Sequence, residues 1–211
     1  RYAYFWGLAL DREGQGEAAK RDAFFNRVRC SAFGIDPATA RAFYDTLLRD
    51  RVAFGFGYPS ALTQFANEIT ALSLDGRALG WRAVITTAEV LHPHRRERLA
   101  ATFGCPVVDS YGCAEAGVTG FQCARGGMHV PVESVVVDLV PAEGGLFEVL
   151  LTDLHNFSQP VIRYRIGDLV EPGPDACECG CELPLLGRIH GRAGDTLTLP
   201  DGRTINGLLP Y

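Results

Sequence analysis

Lysine is almost missing from this 211-residue chain: Lys20 is the only one, and the remaining basic side chains are arginines. A catalytic scheme that needs a lysine in its site has a single candidate here, near the start of the chain. Also lacking is an apolar run able to cross a bilayer. The first such run, Tyr2 to Leu10, falls far short of the ~20 residues a spanning helix needs, and no small-residue cleavage site follows it. No internal repeat, low-complexity tract or Gly-x-Ser-x-Gly turn occurs, and no cysteine stands in a papain-like context, so the familiar nucleophilic-triad signatures are excluded. Positive charge is in deficit as well. A net charge of −5 argues against a broad nucleic-acid-binding face, and nothing indicates membrane attachment.

What remains is globular material: 47% hydrophobic and 21% charged residues, enough for a packed core. The chain opens at Arg1 rather than methionine and stops abruptly at Tyr211, which suggests a piece of a longer protein. Its seven cysteines are odd in number and unevenly spaced: Cys30, Cys105 and Cys113 are scattered, whereas Cys177, Cys179 and Cys181 are bunched. That distribution favours a cytoplasmic protein with one metal site over a disulfide framework.

Patterning divides the chain in two. Glu17 to Arg29 reads as a helix with Phe24, Phe25 and Val28 on one face. Asp36-Pro37 starts a second helix that runs to about Asp50, and Pro59 opens a third through Leu74. His94 to Phe103 is a fourth, with Gly104 as its stop. Strands at Val52–Gly57, Ala83–Thr87 and Val107-Val108 alternate with these helices, implying a mostly parallel α/β layer. After Glu115 the pattern turns to β: Val130–Val140, Leu146–Thr152, Val161–Arg163, Asp168–Val170, Leu185–His190 and Thr196–Leu199, then a hairpin turn at Asp201-Gly202 before Thr204-Ile205. The expected organisation is an α/β subdomain over residues 1–117, a β-barrel-like subdomain over 118–205, and the start of a linker over 206–211.

Several segments carry chemistry. Ser110 to Glu115 lies at the C-terminal end of a parallel strand, where open α/β sheets bind ligands. Tyr111 there can stack on a base, and Glu115 can hold magnesium through its oxygens. The competing reading is an ordinary strand end with a half-buried tyrosine and a surface glutamate. In Arg163 to Asp168, a carboxylate placed after glycine can accept hydrogen bonds from two ribose hydroxyls; the alternative is an aspartate salt-bridged among arginines. Gly187 to Asp195 is rich in glycine and arginine but lacks the lysine and the strand-to-helix setting of a Walker loop. Thr86 to Glu89, just past a strand, can line a planar ligand. Cys177-Glu178-Cys179-Gly180-Cys181 resembles a metal knuckle, and Cys123 and His129 flank another turn able to fold two ligands onto one ion. Together Cys123, His129, Cys177 and Cys179 make a closed four-ligand set, hence a structural zinc. Free thiols, a redox pair, or Cys181 replacing one of the four are the alternatives.

Taken in order, these segments resemble the adenylate-forming (acyl-CoA synthetase-like) superfamily, and within it the phenylacetate–CoA ligase branch. Phe56 to Ser60 resembles that branch's pocket-lining helix start, Thr87-Ala88-Glu89 its adenine-side turn, and Tyr111 to Glu115 its Tyr-Gly-x-x-Glu motif. Pro160 to Asp168 is the strongest match, and Cys177 to Arg192 resembles the cysteine-glycine segment that ends in Gly-Arg, with Cys181 at the usual arginine position. The resemblance implies an enzyme that makes an acyl-adenylate from a carboxylic acid and ATP and passes the acyl group to CoA. It implies that Tyr111 stacks on adenine with Ala88 and Glu89 beside it, that Glu115 binds Mg2+ and is catalytic, that Asp168 and Arg192 hold the ribose, and that Tyr58, Gly112 and Cys113 border the acyl pocket. Three departures accompany it: no upstream phosphate loop, no lysine-bearing C-terminal domain, and Gly194 where the hinge aspartate belongs, with Asp195 matching only the second acidic residue. Those departures keep a second expectation in view, a zinc-stabilised module without catalysis. The acid and the oligomeric state are not legible, which leaves a homodimer open.

Overall fold

The computed structural model describes residues 1–7, 12–192, 196–198 and 204–206, with side chains for 1–7 and 16–192. The chain divides into two compact units, Arg1–Asp109 and Ser110–Tyr211.

In the first unit, β1 (Tyr2–Trp6), β2 (Arg27–Ser31), β3 (Phe54–Gly57) and β4 (Ala83–Thr87) run parallel in the order β2-β1-β3-β4. The next strand in the order, β5 (Val107–Cys113), begins in this unit. Parallel neighbours need crossovers, and α1 (Arg12–Phe24), α2 (Pro37–Arg49), α3 (Pro59–Ala71) and α4 (Pro93–Phe103) alternate with the strands to supply them. The local chemistry explains the helix ends. Asp36 caps α2 by accepting the Thr39 amide at 2.7 Å, and those hydrogen bonds from Thr39 hold its carboxyl below the usual range. Gly104 ends α4 in the left-handed conformation (φ 66°) that favours glycine. Ala40, Phe43, Tyr44 and Leu47 of α2, and Leu62, Phe65, Ala66 and Ile69 of α3, are spaced for one helical face and all are buried. They close over Ala3 and Phe5 of β1, which are fully buried, with Val84 and Leu99. The alternate residues of β1 face the other way: Trp6 stacks on Tyr58 with ring centroids 4.3 Å apart, and Tyr4 on Phe56 at 5.8 Å.

One helix ends earlier than its periodicity suggests. The helix expected through Arg29 stops at Phe24, Asn26 takes a left-handed φ of 51°, and Val28 belongs to β2. Asp22 accounts for the change. Its carboxylate accepts from both Arg27 (2.5 Å) and Arg29 (2.8 Å), which fixes two alternate residues of an extended strand. Phe24 consequently stands 82% exposed instead of lying on a buried face.

In the second unit, the rest of β5 is followed by β6 (Gly117–Gln122), β7 (Met128–His129), β8 (Val135–Pro141), β9 (Phe147–Asp153), β10 (Tyr164–Pro172) and β11 (Leu185–Arg192). Their order is β5-β6-β7-β11-β10-β9-β8 and every pairing is antiparallel. Tyr111, Met128, Val135, Val149, Leu151, Val170 and Leu186 form the core. The strand expected from Val130 begins instead at Val135, because Ser134 and Val135 donate back to the Pro131 carbonyl in a turn. Val161–Arg163 is not a strand; β10 starts at Tyr164, and its register with β9 shifts between Arg165 and Leu169, around Gly167 at φ 81°, before Asp168 pairs with Arg192. Short strands β12 (Thr196–Thr198) and β13 (Thr204–Asn206) pair antiparallel, as expected of that hairpin. Gly194 and Asp195, the expected hinge positions, and residues 207–211 of the expected linker lie outside the described residues. Among the described residues no helix is long and apolar enough to cross a membrane.

Candidate functional site

In the first unit the turn after β4 and the start of α3 are tied together. Tyr58 is the N-cap residue of α3 but offers no side-chain cap, and Pro59 follows it. Ser60 therefore carries the first free amide of the helix. Glu89 takes it: one carboxylate oxygen accepts the Ser60 amide at 2.9 Å and the other accepts the Ser60 hydroxyl at 2.7 Å. Arg95 approaches the same carboxylate at 3.4 Å. Ala88, just before it, holds a left-handed φ of 66°, a conformation that costs an alanine about 1–2 kcal/mol and so marks a turn over-determined by its surroundings. Burial pushes the Tyr58 phenol up, and the Glu89 charge pushes it further. Beneath the turn, the fully buried Thr86 donates its hydroxyl to Asp109 at 2.6 Å.

The second unit carries the other candidates. Tyr111 lies in the core, 8% exposed, and its hydroxyl donates to Asp168 at 2.7 Å. Burial raises the phenol well above its ordinary range and the Asp168 charge raises it further, so Tyr111 stays a neutral donor. Asp168 pairs in register with Arg192 across β10 and β11, their charged groups 3.8 Å apart. The other arginines of the motif are occupied elsewhere: Arg163 with Asp138 at 2.6 Å and Arg165 with Glu148 at 3.4 Å. Asp168 is thus not the hub of an arginine cluster. It is a mostly buried carboxylate held from one side by a phenol, with a largely exposed guanidinium beside it.

Glu115 is exposed and accepts from the Tyr164 hydroxyl at 3.3 Å. Its own backbone amide and the Cys113 and Tyr164 side chains lower its carboxyl, keeping it ionised at neutral pH. It opens on a cleft of about 620 Å³ shared with Glu133, Asp153 and His155. An acidic cleft of this kind suits a phosphate that brings a cation and disfavours a bare polyphosphate. Magnesium asks only one or two protein carboxylates beside its phosphate ligands, so Glu115 fits that use. Cys113, pushed up by burial, remains a thiol.

Cys123, His129, Cys177 and Cys179 converge as their spacing implied. Their four donor atoms lie within 4.8 Å of one another, with Cys123 Sγ to Cys177 Sγ at 3.6 Å and Cys179 Sγ to His129 Nε2 at 3.3 Å. Tetrahedral zinc with ~2.3 Å bonds to sulfur needs a cage of about this size. His129 is fully buried and places Nδ1 3.4 Å from the Leu183 carbonyl, an arrangement that leaves Nε2 for a metal. Gly127 is part of the cage, since a Cβ there would stand 2.7 Å from Cys177 Sγ. Burial pushes the Cys123 thiol up, but hydrogen bonds from the Arg125 backbone, His129, Cys177 and the Gly127 backbone outweigh it and bring it to about 6. The Cys179 amide lowers Cys177, but burial and the neighbouring sulfurs leave it raised. Without a cation the cage favours one thiolate and resists the second. Cys181 is outside the four; its amide donates to Cys179 Sγ at 3.4 Å.

No protein-family model matches the chain. Protein CapK of Staphylococcus aureus is 23% identical over 146 residues, 69% of this chain and 32% of that protein. A crystal structure of 2-hydroxyisobutyryl-CoA ligase, in the postadenylation state with a bound acyl-adenylate, superposes with a TM-score of 0.76 at 20% identity, covering 97% of this chain and 46% of that one. Malonyl-CoA ligase with methylmalonyl-CoA and AMP gives 0.59 at 23% identity, over 98% of this chain and 47% of that one. Benzoate CoA ligase from Burkholderia xenovorans gives 0.58 at 17%, over 81% and 36%. The fold is that of the adenylate-forming acyl-CoA ligases. The chain spans about a third of the curated relative's length and just under half of the 2-hydroxyisobutyryl-CoA ligase.

Within this ligase fold, Gly112 has a steric reason of its own. A Cβ on it would sit 2.3 Å from the Gly117 carbonyl oxygen, where β5 and β6 pair through a bulge. Backbone cannot swing aside as a side chain can. Gly112→Ala is expected to destabilise the protein by about 1–3 kcal/mol, read as a lower urea midpoint, whereas the same change at the open Gly126 turn, with no atom near its Cβ, creates no such clash and strains only φ. Two features of the ligase fold had no sequence signal. The Ser60–Glu89 bonds join residues 29 apart, and the Tyr111–Asp168 bond joins residues 57 apart.

Proposed function

We propose that the chain is the nucleotide-binding core of an ATP-dependent, AMP-forming carboxylate–CoA ligase, cytoplasmic, with phenylacetate or a related aryl acid as the first acid to try. Tyr111, Asp168 and Arg192 carry the reading: a carboxylate held ready by a buried phenol and flanked by a guanidinium is suited to the paired hydroxyls of a ribose. Asp168 and Arg192 hold the ribose, and Tyr111, whose hydroxyl is bound to Asp168, stacks on adenine. Ala88 and Glu89 belong to the adenine-side turn. Tyr58, Gly112 and Cys113 border the acid. Glu115 would hold a magnesium ion arriving with the phosphates, and that ion would supply charge neutralisation at the phosphate. The chain's own part is positioning: it brings acid and nucleotide together in line, and the Tyr111 hydroxyl orients Asp168. Cys123, His129, Cys177 and Cys179 would hold a zinc ion that would tie β7 to the segment before β11, with no open position for chemistry.

The test is acid-dependent exchange of labelled pyrophosphate into ATP by the full-length protein. Exchange is expected with at least one aryl or small aliphatic acid. Silence across the whole panel, with AMP binding intact, would instead support the second reading, a zinc-stabilised binding module, which the metal cage serves equally well.

A further inference from the structure

Glu89 is the residue whose surroundings fit least well with its expected part. As a lining residue for adenine its carboxylate would face the base. Instead both oxygens are engaged by Ser60, at 2.9 and 2.7 Å, and Arg95 stands at 3.4 Å. The carboxylate sits on the first free amide of α3, where the helix dipole is positive and the residue at the cap position supplies no side-chain acceptor. It is therefore an N-cap delivered from another segment. What it caps matters, because the uncapped residue is Tyr58. The Tyr58 ring stacks on Trp6 at 4.3 Å, and its amide is fixed to the Phe5 carbonyl at 3.3 Å. The strained Ala88 turn lies at the other end of the same side chain.

We propose that Glu89 is a positioning residue that couples the adenine-side turn to the acid-side Tyr58 through the amide and hydroxyl of Ser60. The inference deepens the ligase reading and rests on it for the names of the two sides. It assigns the adenine contact of this segment to the backbone of Thr87 and Ala88, and it makes the geometry of the Tyr58–Trp6 aromatic pair depend on Glu89. Binding on one side then stiffens the other: a turn ordered by nucleotide holds the cap, and the cap holds the tyrosine.

The experiment has two arms on the full-length protein. In the first, the protein is labelled with 5-fluorotryptophan and the Trp6 and Trp81 resonances are assigned by Trp6→Phe and Trp81→Phe. Trp81 is buried in the core and reports general loosening. Glu89→Ala is expected to move the Trp6 resonance and leave Trp81 in place, and Glu89→Gln, which still offers an acceptor to Ser60, is expected to restore most of the wild-type spectrum. An unmoved Trp6 resonance, or movement of both, overturns the proposal. In the second arm, pyrophosphate exchange is expected to show the KM for the acid raised severalfold in Glu89→Ala, because the lost cap frees Tyr58 on the acid side, together with a raised KM for ATP. A change in the ATP KM alone would return Glu89 to adenine and overturn the coupling. If the wild-type protein exchanges with no acid, the ligase reading fails, and the fluorine spectra alone decide whether Glu89 sets the aromatic pair.

Discussion

Protein purified without added metal is expected to carry about one zinc per chain, and Cys177→Ser is expected to lose it. The reasoning starts from charge. Cys123 Sγ and Cys177 Sγ stand 3.6 Å apart, and two thiolates at that distance repel. A divalent cation reverses the balance, because every donor added then stabilises the charge it faces. Removing one of four ligands should weaken binding by more than the ~10–100-fold that losing a single supporting hydrogen bond costs. The structural consequence is local first. β7 has only two residues, Met128 and His129, paired with β6 on one side and with Leu185 and Leu186 of β11 on the other, so a metal held by His129 would add a cross-link to a short stretch of ladder. Cys177→Ser and a strong chelator should therefore both lower the melting temperature and raise hydrogen exchange at β7 and the start of β11. Cys181→Ser is the control, and it should keep its zinc, since Cys181 offers the cage an amide rather than a ligand. Metal-free protein from a zinc-replete host, or a Cys177→Ser variant with its full complement, would end the zinc assignment.

Legibility differed by kind of signal. α2, α3 and α4 were readable because each start carries a proline, and α2 adds Asp36 and α4 its terminal Gly104. β2 was not, because Arg-Val-Arg-Cys-Ser places its charges on alternate residues whose partner, Asp22, sits on a helix. β6 lacks a signal for a related reason: Gly117 and Gly120 interrupt the alternation of Gly-Val-Thr-Gly-Phe-Gln, and Gly120 has Met128 packed 3.0 Å from where its Cβ would be. The metal cage was legible because ligand chemistry is nearly confined to cysteine and histidine, and each pair flanks a turn. The duties of Glu89 and Tyr111 were not, since both depend on partners brought together by the fold rather than by spacing.

Asp168→Asn is expected to lower the affinity for ATP and AMP about 100-fold while leaving the fold nearly intact. A carboxylate accepting two ribose hydroxyls makes charge-assisted bonds worth about 1.5–3 kcal/mol each, and a neutral amide keeps only one good acceptor. The fold survives because the amide oxygen can still receive the Tyr111 hydroxyl, now 2.7 Å from the carboxylate. Asp168→Ala separates the two duties. It deletes the acceptor, leaving a buried phenol unsatisfied at a cost of about 1–3 kcal/mol, so stability should fall along with nucleotide binding. Tyr111→Phe supplies the third corner. It takes the donor from a mostly buried carboxylate, so it should cost about 1–3 kcal/mol of stability, and with Asp168 free to turn toward Arg192, 3.8 Å away, nucleotide affinity should drop about tenfold, as expected for one orienting hydrogen bond. Arg192 is largely exposed, so its own replacement should change affinity without touching the melting temperature. Calorimetric titration with AMP and thermal melts of the four variants are sufficient. Asp168→Asn binding AMP as wild type does would remove the ribose from this carboxylate, and the Tyr111–Asp168 bond would then be a core hydrogen bond and nothing more.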